Sequence, residues 1–290
     1  MSKIIINFTP TGMIPMKSDT PFVPVSVHEI VEEVREAVGL GITMVHLHAR
    51  DEQGLPSSDK TIYAKIIEGI RCFAPELIIG VSTSGRIQND LLTRSEVLTL
   101  EGPLKPDMAS LTLSSLNFNK TASISTPDTI LGLASLMKEK GIKPEMEVFD
   151  LGMANMIKYL IKKDLISSPY YVNLILGNIA TAQADLLPIG VLLNDLPDES
   201  YVSLGAVGND QLKANALAIA TGLGVRVGLE DNYWYDRERT VLATNMSLLE
   251  RIHTLLIANQ HELMPSKELR VKLGLLPGHG HYGIDPHRHA

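Results

Sequence analysis

The amino-acid sequence predicts an α/β protein that forms one (β/α)8 barrel. Short, β-rich apolar runs alternate with longer amphipathic segments along the chain, as parallel strands connected by helices do. Eight such runs can be counted, which is the number that a closed barrel of this kind requires. A doubly wound open sheet with a dinucleotide site is the competing architecture. It has less support, because no Gly-x-Gly-x-x-Gly turn follows the first strand.

The predicted strands are short apolar runs bounded by turn residues. They are Lys3–Thr9, Thr43–His48, Leu77–Thr83, Met108–Leu113, Glu145–Phe149, Tyr171–Leu176, Tyr201–Ala206 and Val225–Leu229. A first helix is predicted to begin at Ser26, where Ser26 and Glu29 have the spacing of a capping box. The other predicted helices are Lys60–Cys72, Pro127–Lys140, Gly152–Lys163, Asp210–Thr221 and Thr240–Asn259, with weaker patterns at Ser95–Leu100 and Gln183–Leu193.

Composition narrows the class of protein. The net charge of −7 and the lack of a basic stripe argue against nucleic-acid binding. Cys72 is the single cysteine, which rules out an intrachain disulfide and a thiolate metal cluster. No apolar run is long enough to span a membrane, and the N-terminus does not resemble a signal peptide. We therefore expect a cytoplasmic protein without a nucleic-acid or membrane partner.

No linker or short repeat divides the chain, so residues 1–276 are predicted to be one catalytic barrel domain. Residues 277–290 differ in composition, since they contain four of the nine histidines. A histidine-rich segment suggests metal binding, but a disordered tail or one that packs against a partner is the favoured interpretation.

His46 and His48 are the most informative residues. An apolar run leads directly into them, and residues two apart on a strand share a face. Neutral imidazole is a common ligand of divalent transition metals, so this pair is interpreted as half of a metal site. The alternative is that both are hydrogen-bonded core histidines.

A site with two histidines needs a further protein ligand, and no third histidine lies in a predicted strand. A carboxylate must complete the set, and Glu230, just past the last strand, is the candidate. Three protein ligands leave open positions, which is typical of catalytic rather than structural sites. A metal bound in this way can polarise a substrate carbonyl.

Polar residues collect at the carboxyl ends of the predicted strands, where barrels of this type carry their chemistry. Candidate site residues at these ends are Ser82, Thr83, Ser84, Arg86, Ser110, Thr112, Glu145, Glu147, Arg226 and Asp231. The Ser82–Arg86 stretch suits a carboxylate or a phosphate, although its hydroxyls could simply cap a helix. Glu145 and Glu147 share one strand face and, if buried, need a partner. Arg226 and Asp231 could form a structural ion pair.

Five stretches carry a resemblance to a known family. They are His46-Leu47-His48-Ala49-Arg50, Ser82-Thr83, Lys105-Pro106-Asp107-Met108-Ala109-Ser110-Leu111, Pro144-Glu145-Met146-Glu147-Val148-Phe149 and Gly228-Leu229-Glu230-Asp231-Asn232. In order and spacing they resemble the β-keto acid cleavage enzymes, the family of 3-keto-5-aminohexanoate cleavage enzyme. The resemblance extends from the first strand to the last helix.

The resemblance implies a zinc-dependent barrel, commonly a homotetramer, with one Zn²⁺ per subunit. Such an enzyme converts a β-keto acid and acetyl-CoA into acetoacetate and a new acyl-CoA. By resemblance, His46, His48 and Glu230 hold the metal. The hydroxyls of Ser82 and Ser110 hold the substrate's carboxylate end, and Glu147 lines the site. Arg226 and Asp231 act together in proton abstraction.

One departure from the family concerns the substrate. Members that take an amino-bearing substrate have Thr-Gly-x-Glu after the first strand, whereas this chain has Thr11-Gly12-Met13-Ile14. An apolar Ile14 cannot pair with an ammonium, so we expect a substrate without the 5-amino group. A neutral or apolar side group is the more compatible one, with Met13, Ile14 and Met16 as walls. Thr112, where those members tend to have Asn, is a second departure.

Two other functions compete with this interpretation. Metal-dependent hydrolases on the same barrel also use a His-x-His pair, but on the first strand and with further strand histidines. A catalytically silent protein that binds a metal or an acyl group is the other alternative. The presence of Arg226, Glu230 and Asp231 argues against it.

Overall fold

The computed structural model describes residues 2–285. Eight parallel strands close into a barrel, which confirms the predicted fold. They are β1 (Ile6–Phe8), β2 (Met44–Leu47), β3 (Ile78–Val81), β4 (Met108–Thr112), β5 (Lys143–Val148), β6 (Tyr170–Leu176), β7 (Ser200–Ala206) and β8 (Gly224–Val227). Each strand pairs with the next in the chain, and β8 pairs with β1 to close the ring.

Helices surround the barrel in the described part of the chain. They are α1 (Val27–Leu40), α2 (Lys60–Arg71), α3 (Leu91–Ser95), α4 (Pro127–Lys140), α5 (Leu151–Lys162), α6 (Leu186–Asp195), α7 (Gln211–Thr221), α8 (Asn245–Ala258) and α9 (Ser266–Leu273). The predicted capping box is present, since Ser26 and Glu29 each accept from the other's backbone N–H. Among residues 2–285, no helix combines the length and apolar character that crossing a membrane requires.

Three predicted elements differ from the structure in more than their bounds. The predicted helix Ser95–Leu100 is a 3-10 helix at Glu96–Thr99, which directly follows α3. The first predicted strand is divided, because Lys3–Ile4 leaves the barrel and pairs with Glu262–Leu263. The predicted helix from residue 240 begins at Asn245 instead, where Thr244 provides the N-cap. The preceding residues form a turn in which Asp236 accepts backbone N–H bonds from residues 240 and 241. A side chain that satisfies these N–H groups competes with helix formation.

The end of the barrel opposite the strands' carboxyl ends is covered by α9 and by residues 277–285. Gly283 donates its N–H to Asp107 Oδ1 at 3.1 Å, and Ile284 donates to the carbonyl of Gly141 at 2.8 Å. This part of the tail therefore packs against its own barrel, in contrast to the disordered or partner-bound segment expected. His287 and His289 lie outside the described residues.

Candidate metal centre and active site

His46 and His48 converge with Glu230 at the carboxyl end of the barrel, although Glu230 is 182 positions beyond His48. The two histidine Nε2 atoms are 3.2 Å apart, and His48 Nε2 is 3.2 Å from Glu230 Oε1. One ligand atom from each of the three residues lies within 4.8 Å of the others. The structure thus brings together the three residues that sequence reasoning selected as metal ligands.

The donor set fits a divalent metal ion. Glu230 Oε2 is buried and has no hydrogen-bond partner among the described residues, a costly state unless a ligand binds it. The carboxylate has room because of Gly12, where a Cβ atom would lie 2.5 Å from Glu230 Cγ. Two imidazoles and one carboxylate form the ligand set of an open catalytic site.

Glu145 provides the support behind His46. Its Oε2 lies 2.8 Å from His46 Nδ1, and its Oε1 accepts bonds of 2.7 Å from both Asn7 and Asn173. Gly80 makes room for it, since a Cβ there would lie 2.6 Å from Glu145 Oε2. A carboxylate on Nδ1 fixes the tautomer that presents Nε2 to a metal.

Arg226 joins the metal ligand to a second carboxylate. Its Nη2 donates to Glu230 Oε1 at 2.6 Å, and its Nε donates to Asp231 Oδ2 at 2.9 Å. The Arg226 side chain is 1% exposed, and its Nη1 has no partner among the described residues. Arg226 therefore fixes both carboxylates and still has a donor for a third group.

Burial and neighbouring charges separate the two carboxylates that Arg226 binds. Burial, reinforced by the Glu230 charge and opposed by Arg226, raises the pKa of Asp231 to about 6. The pKa of Glu230 lies below its usual range, because Arg226 and the two histidines outweigh the effect of burial. Neighbouring carboxyl groups whose pKa values are shifted in opposite directions are typical of a site in which one carboxylate binds a ligand and the other exchanges a proton.

The polar stretch after β3 is locked to β4. Thr83 donates its N–H to Ser110 Oγ at 3.0 Å and its hydroxyl to the Ser110 carbonyl at 2.6 Å. Ser82 Oγ accepts from the N–H of Ser84 at 3.2 Å. On β4 and β5, the Thr112 hydroxyl donates to Glu147 Oε2 at 2.6 Å. These polar groups are held by one another beside the metal ligands.

A cavity of about 660 Å³ opens above the metal ligands. Among the predicted site residues, those that line it are Ile14, His48, Ser82, Ser84, Arg86, Thr112, Glu147, Arg226, Glu230 and Asp231. Thr83 lines a smaller adjoining pocket, and Ser110 and His46 are buried beneath. The predicted site residues therefore either line this cavity and its adjoining pocket or lie directly beneath the residues that line it.

The loop after β1 forms one wall of this cavity. Met13 and Ile14 line it as expected, and Ile14 is 47% exposed. Met16 instead directs its sulfur to Arg50 Nη1 at 3.2 Å. The buried Arg50 also binds the carbonyl groups of Gly12 and Pro15, and so holds the loop in place.

The sequence analysis assigned no role to Arg50. For Glu145 it predicted only that the carboxylate needs a partner if it is buried. The alternation along β5 places Glu145 on the barrel interior, so the requirement can be read from the chain. That this partner is His46 cannot be read from the chain, because His46 and Glu145 are 99 positions apart. Arg50 follows the histidine pair directly, but nothing in its neighbourhood points to carbonyl groups of the preceding loop.

The sequence model of the beta-keto acid cleavage enzyme family matches residues 3–275. A 3-keto-5-aminohexanoate cleavage enzyme from Fusobacterium nucleatum is 34% identical over 278 residues, which are 95% of this chain and 99% of that relative. A 3-oxoadipate:acetyl-CoA acetyltransferase from Cupriavidus necator is 34% identical over 275 residues, covering 93% of this chain and 94% of the relative.

Solved structures agree on the fold. The apo structure of ObcA superposes with a TM-score of 0.77 at 20% identity, over 88% of this chain and 66% of that chain. At this level of identity the similarity concerns the barrel architecture, while the resemblance of function rests on the family match and on the relatives above.

Proposed function

Since the chain belongs to the beta-keto acid cleavage enzyme family, we propose that it condenses a β-keto acid with acetyl-CoA, releasing acetoacetate and a new acyl-CoA. The observation that carries this proposal is the convergence of His46, His48 and Glu230 with the Arg226–Asp231 pair at one cavity. The names of relatives support an acyl-CoA-dependent transferase and acetyl-CoA as the cosubstrate, because one is an acetyl-CoA acetyltransferase.

The metal proposed for the triad is Zn²⁺, one ion per subunit. Two imidazoles and a carboxylate are a common catalytic zinc set, and the unpartnered Glu230 Oε2 gives the ion an acceptor to bind. When bound, such an ion supplies Lewis-acid polarisation of a carbonyl oxygen. Glu145 contributes by holding the His46 ring in position.

Asp231 is the proposed base. It lines the cavity beside Glu230, and Arg226 orients its Oδ2 through a 2.9 Å hydrogen bond. The CH₂ group between the ketone and the carboxylate of a β-keto acid is acidic, so a carboxylate can remove its proton. Nη1 of Arg226 has no hydrogen-bond partner within residues 2–285 and is the proposed donor to a substrate oxygen. Arg226 and Asp231 thus act as one unit.

The proposed reaction balances without a redox partner. Asp231 takes a proton from C2 of the β-keto acid, and C2 then forms a bond to the acetyl carbonyl carbon as the CoA thiolate leaves. The thiolate attacks the C3 ketone, and the C2–C3 bond breaks. C2 recovers its proton from Asp231, which yields acetoacetate and the acyl-CoA of the original side group.

The remaining predicted residues are proposed to hold the substrate. Ser82, Thr83 and Ser110 form a hydroxyl and amide cluster suited to the carboxylate next to C2. Glu147 and Thr112 form the facing wall. Ile14 lies where amino-substrate members have an acid, which supports a substrate without the 5-amino group.

The test is a panel of β-keto acids incubated with zinc-loaded protein and acetyl-CoA, with acetoacetate and the acyl-CoA product measured by mass spectrometry. We expect both products in equal amounts. Consumption of a substrate without acyl-CoA formation would favour a metal-dependent hydrolase on this barrel. The absence of products across the panel would favour a silent protein that binds a metal or an acyl group.

Three further proposals concern the whole protein. We propose that residues 1–276 carry the catalysis and that the C-terminal segment 277–290 has no catalytic role, because every residue assigned a role above precedes 277. We also propose a homotetramer, from the resemblance, and a cytoplasmic location, from the single cysteine. Sedimentation equilibrium of the full chain tests the assembly, and a species of another size would contradict it.

A further inference from the structure

Arg86 is a cation in the cavity that the proposed chemistry does not use. It follows the hydroxyl cluster after β3 and lines the cavity together with Ile14. Its guanidinium stacks 3.7 Å from the centre of the Phe118 ring, and its Nε lies 3.3 Å from the hydroxyl of Thr121. These contacts fix one face and one edge of the guanidinium and leave the two terminal nitrogens without a hydrogen-bond partner in residues 2–285.

Arg86 has no carboxylate in ion-pair contact within residues 2–285, and the Glu230 charge acts on it only from a longer distance. The other inner arginine of the cavity, Arg226, binds two carboxylates, whereas Arg86 forms no ion pair within residues 2–285. Lys120 and Arg239 also line the cavity without an acidic partner in this part of the chain, but both are exposed, whereas Arg86 is half-buried. Partial burial lowers the pKa of Arg86, and the Glu230 charge offsets this only in part. An anionic ligand would offset the cost of that desolvation.

Arg86 has the form of a carboxylate-binding group. The planar guanidinium donates two parallel bonds to a carboxylate, and the aromatic stack pre-orders it. Met13 and Ile14 provide apolar surface in the same cavity for methylene groups. A substrate with a carboxylate at C1, methylenes in the middle and an acid at the far end would satisfy all three features.

We propose that the side group of the β-keto acid ends in a carboxylate that Arg86 binds, so that the substrate is a dicarboxylic β-keto acid. This inference rests on the proposed function, whose substrate class it specifies. The proposed side group with a terminal carboxylate replaces the neutral or apolar side group that Ile14 alone led us to expect. Ile14 and Arg86 act in the same direction, because both disfavour an ammonium.

Asp19 is the residue that opposes this assignment. It lines the same cavity, is exposed and could attract a cationic side group. Its Oδ2 already accepts the N–H of Met16 at 2.9 Å, so it serves the loop. The carboxylate next to C2 and the phosphates of CoA are two other anions that Arg86 could bind. The experiment distinguishes a far carboxylate on Arg86 from these two anions and from a cationic side group at Asp19.

The test compares two β-keto acids of equal length, one ending in a carboxylate and one in a methyl group, in the wild type, Arg86→Gln and Arg86→Lys. We expect the wild type to prefer the dicarboxylic acid in kcat/KM by about 10- to 100-fold, the effect of charge-assisted hydrogen bonds. Arg86→Gln should bring that ratio close to one, and Arg86→Lys should restore part of it. Arg239→Gln, an exposed arginine of the same cavity, is the matched control and should keep the wild-type ratio.

Three results would overturn the proposal. An equal loss on both acids would assign Arg86 to the carboxylate next to C2. A rise in the KM of acetyl-CoA alone would assign it to CoA. A wild-type preference for an ammonium-bearing acid that Asp19→Asn removes would reverse the charge of the side group.

Equilibrium binding tests Arg86 independently of turnover. Adipate and hexanoate serve as unreactive probes, and their binding to folded wild type and Arg86→Gln is measured by calorimetry. Tighter binding of adipate, lost in Arg86→Gln, supports the proposal even if the panel yields no acetoacetate and the proposed function fails. Equal binding of the two probes by the wild type would overturn it.

Discussion

The two ends of the barrel each bury arginine and carboxylate groups, and they differ in how completely the carboxylate oxygens are hydrogen-bonded. At the base, Asp107 accepts from both terminal nitrogens of Arg270 at 2.8 Å, from Arg71 at 3.2 Å, and from the N–H groups of Ile79 and Gly283. At the end formed by the carboxyl ends of the strands, Glu230 Oε2 has no hydrogen-bond partner among the described residues. The arginines do not differ in this way, since Arg71 Nε and Nη1 and Arg226 Nη1 all lack a hydrogen-bond partner in that part of the chain.

The surroundings of the two clusters differ as well. Tyr282 from the C-terminal segment covers Arg71, whose guanidinium is 3.0 Å from the ring centre, whereas Arg226 faces the cavity. Burial raises the pKa of Asp107, but Arg71 and Arg270 outweigh it and hold that pKa below its usual value. Burial raises the pKa of Asp231 to about 6. A buried carboxylate with both oxygens bonded, such as Asp107, stabilises the fold, whereas Glu230, whose Oε2 has no partner within residues 2–285, is prepared for a ligand.

The largest effect on activity is expected for Asp231→Asn. An amide cannot accept the C2 proton, so kcat should fall by about 10²- to 10⁴-fold, the usual contribution of a general base. The thermal midpoint should change little, because Arg226 keeps its bond to Glu230. Acetoacetate formation and differential scanning calorimetry on the same preparation check both points. Full activity would remove Asp231 from the mechanism.

Asp107→Asn should lower the stability of the fold and leave the activity unchanged, the reverse of Asp231→Asn. Loss of the charge leaves Arg71 and Arg270 buried and unneutralised, which costs about 3–5 kcal/mol of unfolding free energy. Urea unfolding at neutral pH measures this change. The activity of the molecules that remain folded should match that of the wild type, since Asp107 lies at the end of the barrel opposite the cavity. A large loss of kcat without loss of stability would contradict the separation of the two ends.

Glu145→Gln should weaken metal binding without unfolding the barrel. The amide can still contact His46 Nδ1, but it holds the required tautomer less well, and removal of such a partner lowers metal affinity by about 10- to 100-fold. Zinc affinity is measured by competition with a chromophoric chelator. Glu147→Gln, on the same strand but bound to Thr112, is the matched control and should keep the wild-type affinity.

The smallest expected effect concerns acid stability. The pKa of Asp107 in the folded protein is held below its unfolded value of about 3.9. Its stabilising contribution is therefore complete above that unfolded pKa and is lost as the pH falls through the folded pKa. The difference in unfolding free energy between wild type and Asp107→Asn should narrow in that acidic range, measured by urea unfolding at several pH values. A constant difference would contradict the assignment.

The parts of this comparison that could be predicted from the sequence are local. His46 and His48 share a strand face, and the strand pattern predicts that Glu230 lies at the same end of the barrel. The ion-pair cluster at the opposite end of the barrel could not be predicted in this way. Asp107 and Arg270 are 163 positions apart and meet only after the barrel closes. The same holds for Arg86, whose lack of an ion pair within residues 2–285 depends on how the cavity residues are arranged around it.

The most direct test of the central claim is a zinc titration of metal-free protein in the presence of acetyl-CoA and a dicarboxylic β-keto acid, with acetoacetate formation followed at each addition. The account predicts a rate that rises from background and saturates at one zinc per chain. It also predicts that His46→Ala shows no such rise. Acetoacetate formation at an unchanged rate without metal, or saturation with zinc and no acetoacetate, would contradict the account.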